Sequence, residues 1–152
     1  MAAAPSPQER IQNDLKESMK ARDAERTSTL RMLLAELKNE RIKLGHEVNE
    51  EEFARVLQRG VKQRQDSVEQ YRNGGREDLA TKEEREAQVL SAYLPEQVSE
   101  DEVRRAIEEV VREQGLSGGA GIGAVMKAVL PRYQGRIDGK TVQRLAREVL
   151  GA

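Results

Sequence analysis

The chain has 152 residues, 37% hydrophobic and 35% charged, with 26 basic and 27 acidic side chains and a formal net charge of −1. That length makes one large or two small domains, and so low an apolar fraction argues against a single deep core. The absence of cysteine excludes disulfides, thiolate nucleophiles and cysteine zinc sites, and the near-neutral balance gives no bulk pull toward nucleic acid, so any cationic site has to be local.

The opening Met1-Ala-Ala-Ala-Pro-Ser-Pro has neither a cationic n-region nor an apolar run, and no stretch approaches the roughly 18 apolar residues of a membrane span. The expectation is a soluble, cytoplasmic chain. Ser6-Pro7-Gln8-Glu9 reads as a capping box with proline at the first helical position, and Ile11, Leu15 and Met19 follow on one face to about Arg22. Asp23 caps a second helix whose stripe is Leu30, Leu33, Leu34 and Leu37, with a stop at Gly45. Asn49-Glu-Glu-Glu52 caps a third, carrying Phe53, Val56, Leu57, Val61, Val68 and Tyr71 and broken at Asn73-Gly74-Gly75. A fourth is predicted to start near Thr81-Lys-Glu-Glu84 and to end at Leu94-Pro95.

Past Pro95 the texture changes. Ser99 opens a helix with Val103, Ile107, Val110 and Val111, closed by Gly115; residues 115–123 then hold five glycines. Two short helical patterns follow, Ile122 to Leu130 and Val142 to Leu150, separated by Pro131 and Gly135. No β-branched alternation occurs, so the fold class is all-α: an N-terminal helical domain, 1–95, and a small helical tail domain, 96–152. A tail of that size is marginal as an independent domain.

Several chemical motifs fail on inspection. Gly135-Arg-Ile-Asp-Gly139-Lys140-Thr141 has three residues between its glycines where a phosphate-binding loop needs four, and no strand precedes it. Gly119-Ala-Gly121-Ile-Gly123 lacks the dinucleotide spacing and context. His46 is the only histidine, without a second His or Cys to complete a transition-metal site, so no metal and no cofactor is expected. Glu50 to Glu52 and Glu83, Glu84 and Glu86 lie near predicted helix starts, where the macrodipole favours negative charge. No serine is accompanied by a base-and-orienter pair or a nucleophile elbow, so no catalytic residue is assigned.

Two features carry more. On the last helix Lys140, Arg144 and Arg147 fall within about 60° of arc, opposite Val142, Leu145, Ala146 and Val149. With Lys127, Arg132 and Arg136 they make residues 116–152 locally cationic, against only Asp138 and Glu148. Lys127, Arg136, Lys140, Arg144 and Arg147 are therefore candidate contacts to a sugar–phosphate backbone, and solvation of an ordinary surface is the competing explanation. The other feature is Arg64, centred on the apolar arc of the third helix. A charge there needs a partner, and Glu83 or Glu86, on the face that carries Leu90 and Leu94, supplies a candidate ion pair. A ligand-facing Arg64 is the alternative. Gly60, one turn earlier on that face, suits a close helix approach.

Arg26-Thr-Ser-Thr-Leu30-Arg31-Met-Leu-Leu, Lys62-Gln63-Arg64-Gln65-Asp66-Ser67, Tyr93-Leu94-Pro95-Glu96-Gln97, and Gly123-Ala-Val-Met126-Lys127 with Pro131 and Gly135-Arg136-Ile137-Asp138-Gly139-Lys140 together resemble the GatB/YqeY family across nearly the whole chain. The resemblance implies an all-α fold whose tail is similar to the one that ends the GatB chain of the tRNA-dependent amidotransferases, where the tail helps hold tRNA and the chemistry lies elsewhere. The tail residues matching that pattern are Lys127, Gly135, Arg136, Asp138, Gly139 and Lys140; Arg144 and Arg147 come from the helical arc alone. Three functions follow as expectations. The first is a tRNA-binding accessory module. The second is a helical protein-interaction module docking on an aminoacyl-tRNA synthetase or amidotransferase. The third is an amidotransferase-like carbon–nitrogen ligase, for which no catalytic groups are visible.

Overall fold

Seven α-helices carry the regular structure of the computed structural model, which describes residues 3–152, and no strand occurs among the described residues. The chain divides into two compact units, Met1–Leu94 and Pro95–Ala152. In the first, α1 (Pro7–Lys20), α2 (Ala24–Leu44), α3 (Glu50–Asn73) and α4 (Glu77–Ser91) follow one another. In the second come α5 (Glu100–Gln114), α6 (Ile122–Val129) and α7 (Gly139–Leu150), with short 3₁₀ turns at Gly119–Gly121 and Leu130–Tyr133.

Side-chain caps set most of these starts. Ser6, Asp23, Asn49, Ser99 and Asp138 each accept a hydrogen bond from a first-turn amide, and Asn49 with Glu52 forms the full reciprocal box. The sequence pattern puts the start of α4 at Thr81, four residues too late. Its true N-cap, Arg76, offers no side-chain cap, and Thr81 lies inside the helix, where its hydroxyl donates to the Glu77 carbonyl at 2.9 Å. The acidic Glu77 and Asp78 complement the amide dipoles of the first turn instead. Helix α1 ends in a Schellman motif: the Asp23 amide reaches Ser18 O at 3.0 Å, and the Arg22 amide reaches Met19 O at 3.1 Å. Arg22 therefore occupies, at φ 56°, a left-handed position where glycine is usual.

The core of the first unit is built from Ile11, Leu30, Leu33, Leu37, Phe53, Val56, Leu57 and Leu90. Polar groups that enter it are held: Ser18 and Thr27 hydroxyls meet at 2.8 Å between α1 and α2. At its rim Arg10 grips Glu50 bidentately while its guanidinium lies 5.4 Å from the Phe53 ring centre. Just past α4, the Tyr93 hydroxyl donates to Asp14 and lies 3.5 Å from an Arg26 nitrogen. Burial, reinforced by the Asp14 bond, pushes the Tyr93 phenol above its ordinary range. The second unit has its own core, in which Val103, Ile107, Val125, Val129, Val142, Leu145 and Ala146 meet around Tyr133.

Helices α3 and α4 approach closely at Gly60. A methyl group there would stand 2.9 Å from Leu90 Cδ1 and 3.3 Å from Arg64 Nη1. Arg64, 6% exposed, donates from Nη1 to the Gly60 carbonyl at 3.1 Å. Its Nε stands 3.5 Å from Oε2 of Glu86, itself 8% exposed, an ion-pair separation without hydrogen-bond geometry. Glu83 completes the cluster. Burial first, then the neighbouring Glu86 charge, raises the Glu83 carboxyl above its ordinary value, with Arg64 opposing.

Removing one member of this pair leaves the other charge buried. Arg64→Met is expected to lower unfolding free energy by about 3 kcal/mol in urea denaturation, and adding Glu86→Leu should recover much of the loss. Glu83 has the opposite sign. Because its folded carboxyl holds a proton to higher pH than the unfolded one, its contribution to stability falls as pH rises from the ordinary carboxylate value through the raised one. Glu83→Gln should therefore be more stable than the wild type at pH 7, with the difference vanishing below about pH 4 when melting is followed by circular dichroism.

Candidate nucleic-acid interface

The second unit owes its geometry to the segment that enters it. Gln97 Nε2 donates to the carbonyls of Pro95 and Gly135, each at 2.8 Å, and the Val98 amide reaches the Arg136 carbonyl at 3.0 Å. Gly135 makes this turn at φ 74°. Arg136 closes the clamp: its Nε donates to Glu96 O at 2.9 Å, and its guanidinium lies 5.8 Å from the Tyr133 ring centre. Arg132 lies 5.6 Å from the same ring. Half-buried Arg136 thus fastens the entry segment of the unit to its Gly135 turn.

On α7, Val142, Leu145 and Ala146 are buried, while Lys140, Arg144 and Arg147 are exposed. Arg144 is committed elsewhere. It donates to Glu148 at 2.9 Å and to Glu100 of α5, and Glu148 also accepts from Arg104 of α5 at 2.6 Å. These four charges staple α5 to α7. The hydrogen bonds raise the Arg144 guanidinium and hold the Glu148 carboxyl below its ordinary value, with Arg104 the largest contributor to the latter. The sequence pattern carries a sign of this, since Glu148 stands four residues after Arg144, just beside the cationic arc. The Arg104 and Glu100 partners lie over 40 residues away, beyond the reach of any local pattern.

The five candidate cations therefore divide. Arg136 and Arg144 serve the unit's own architecture, whereas Lys127, Lys140 and Arg147 are exposed and make no side-chain hydrogen bond or ion pair among the described residues. Lys140 and Arg147 share one face of α7, two turns and about 10 Å apart along the axis. Lys127 projects from α6 on the side away from buried Val125 and Val129. Gly119 and Gly123 precede it at spacings of four, and a methyl group on either would meet nothing within 4 Å. That face offers uncovered backbone beside a lysine.

His46 is exposed, with Nε2 3.4 Å from a Glu52 oxygen and Nδ1 2.8 Å from the Glu47 carbonyl. No cluster of His, Asp or Glu suited to a metal occurs among the described residues, and none of their helices is long and apolar enough to cross a membrane.

Comparison with known proteins extends this picture. The chain is 31% identical over 147 residues, covering 94% of its length and 80% of the relative, to "Altered inheritance of mitochondria protein 41, mitochondrial" of Pyrenophora tritici-repentis. The protein of the same name from Clavispora lusitaniae is 29% identical over 76% of this chain and 69% of its own. An uncharacterized protein of Schizosaccharomyces pombe is 36% identical over 64% of this chain and 80% of its own length. The expectation of a cytoplasmic location is corrected by the Pyrenophora and Clavispora relatives, whose names are those of mitochondrial proteins. The texture of the opening residues and the lack of an apolar span, on which that expectation rested, do not distinguish one reducing interior from another. Residues 8–150, which cover nearly all of both helical units, match the family described as Yqey-like protein, and the chain belongs to that family.

Proposed function

We propose that the chain is a non-catalytic accessory protein whose C-terminal unit binds the sugar–phosphate backbone of tRNA. The observation that carries this reading is the trio of exposed, unpaired cations Lys127, Lys140 and Arg147, in a unit where Arg104 and Arg144 are neutralised by carboxylates. Unpaired surface cations keep their full charge for phosphate, and each phosphate neutralised releases condensed counterions. The open backbone at Gly119 and Gly123 supports the same reading, because a sugar–phosphate chain can lie close where no side chain stands. Backbone contacts of this kind recognise shape rather than base sequence.

Titration of the purified chain with bulk tRNA at two salt concentrations tests the proposal. Changing Lys127, Lys140 and Arg147 together to Gln should weaken binding across tRNA species without changing the melting temperature. The slope of log affinity against log salt should flatten by roughly 0.7 to 0.9 per lost contact. Arg144→Gln serves as the contrast: it should loosen the α5–α7 staple and leave the salt slope nearly intact. Wild-type affinity and slope in the folded triple variant would remove the phosphate reading.

A further inference from the structure

Helix α2 carries apolar residues on its outer face as well as on the face toward the core. Its inner face buries Leu30, Leu33 and Leu37. At 100° per residue, the opposite arc carries Ala24, Ser28, Met32, Ala35, Asn39 and Ile42, all exposed. Met32 is 45% exposed and Ile42 80%. At the N-terminal end this stripe runs into a depression of about 600 Å³ whose walls include Met19, itself 50% exposed, Thr27, Ser28 and Met32. A stripe of this kind on an outer helix face marks a surface that another chain covers, and methionines suit it because their flexible thioethers repack around an incoming side chain.

The charges around the stripe say which chemistry fits. Arg22 and Arg31 line the depression, and Lys38 follows Arg31 along the same edge of α2. None of the three is paired with a carboxylate among the described residues; the nearest partner of the Arg31 guanidinium is Met19 Sδ, at 4.0 Å. Three neighbouring acids are engaged elsewhere, and Glu36 lies on the opposite edge of the stripe from Arg31 and Lys38. Asp23 caps the Arg26 amide, Glu25 pairs with Arg85 and Glu40 with Arg59. Arg22 also holds its left-handed position against the usual preference for glycine, which keeps its side chain at the mouth of the depression.

We propose that this outer face of α2 docks an acidic amphipathic helix of a partner protein. Apolar side chains of that helix enter the depression between Met19 and Met32, and its flanking carboxylates meet Arg22, Arg31 and Lys38. Ala24, Ser28 and Ala35 keep the stripe low enough for a second helix to lie along it. A second copy of α2 lying antiparallel on this face is disfavoured, because it would set Arg31 and Lys38 of each copy against those of the other. Nucleic acid is disfavoured too, since the stripe beside the cations is mostly alanine, methionine and isoleucine and carries no aromatic platform. The surface shares no residue with the Lys127, Lys140 and Arg147 trio, so this inference stands or falls independently of tRNA binding.

The test uses the full chain and two fluorescent helical peptides of about three heptads each, with leucine along the seam and either Glu or Lys on the flanks. In anisotropy titrations the Glu peptide should bind saturably and the Lys peptide at least about tenfold more weakly. Met32→Asp with Ile42→Asp should weaken the Glu peptide by a similar factor at unchanged helicity and melting temperature, because both side chains are solvent-exposed. Arg31→Glu with Lys38→Glu should reverse the preference toward the Lys peptide. Absent or equal binding of the two peptides, or indifference to the Met32 and Ile42 changes, overturns the proposal. It is equally overturned if Arg31→Glu with Lys38→Glu abolishes tRNA binding while leaving the Glu peptide bound. A concentration-dependent dimer in sedimentation that Met32→Asp dissolves would assign the face to a second copy.

Discussion

The approach of α3 to α4 sets the terms on which the first unit is built. Gly60 lets the two helix axes come together until Leu90 fills the space a side chain would otherwise occupy. That closeness drives Arg64 and Glu86 out of water, so the seam holds a charge pair where an apolar pair would have packed with less desolvation. Glu83, at the margin of the same seam, bears the unfavourable side of the arrangement. The rest of the unit is organised around this hairpin. Leu33, Leu37 and Phe53 close one core with Leu90, while Arg10, Asp14 and Tyr93 bind its periphery by polar contacts.

A chain with so few apolar residues fastens its helices by charge as well as by packing. In the C-terminal unit Arg104, Glu148, Arg144 and Glu100 alternate in sign across α5 and α7. The Arg136 guanidinium fixes a carbonyl of the entering segment. Exposed pairs contribute little individually, and a network with bidentate geometry does somewhat better. Their larger effect here is on availability, because a guanidinium held by two carboxylates offers less to phosphate than a lysine with no neighbour.

Local signals and tertiary signals differ sharply in how far they can be read. Caps at Ser6, Asp23, Asn49 and Ser99 and stops at Gly45 and Gly115 are written in adjacent residues, which is why the all-α fold and most helix limits are legible. The start of α4 is not, because Arg76 has no capping side chain and Thr81 imitates one. Arg64 stands out through its position on an apolar arc, a local pattern, and the structure sets Glu86 beside it. Arg144 stands out as a free cation because the Glu100 that engages it comes from a different helix, 44 residues earlier. Nothing in periodicity reports such a partner. The outer stripe of α2 is hidden for a related reason: the leucines define the apolar face, and Ala24, Met32, Ala35 and Ile42 on the other side spoil the contrast.

The Tyr93–Asp14 hydrogen bond has a spectroscopic consequence. With no tryptophan in the chain, near-ultraviolet emission comes from three tyrosines, Tyr71, Tyr93 and Tyr133. A phenol that donates to a carboxylate loses fluorescence through proton transfer in the excited state, so Tyr93 is dim while α1 and α4 stay docked and brightens when they separate. Tyr133 stands in the other core, flanked by the Arg132 and Arg136 guanidinium groups. A rise in tyrosine emission therefore reports the parting of α1 from the segment after α4 without introducing a label.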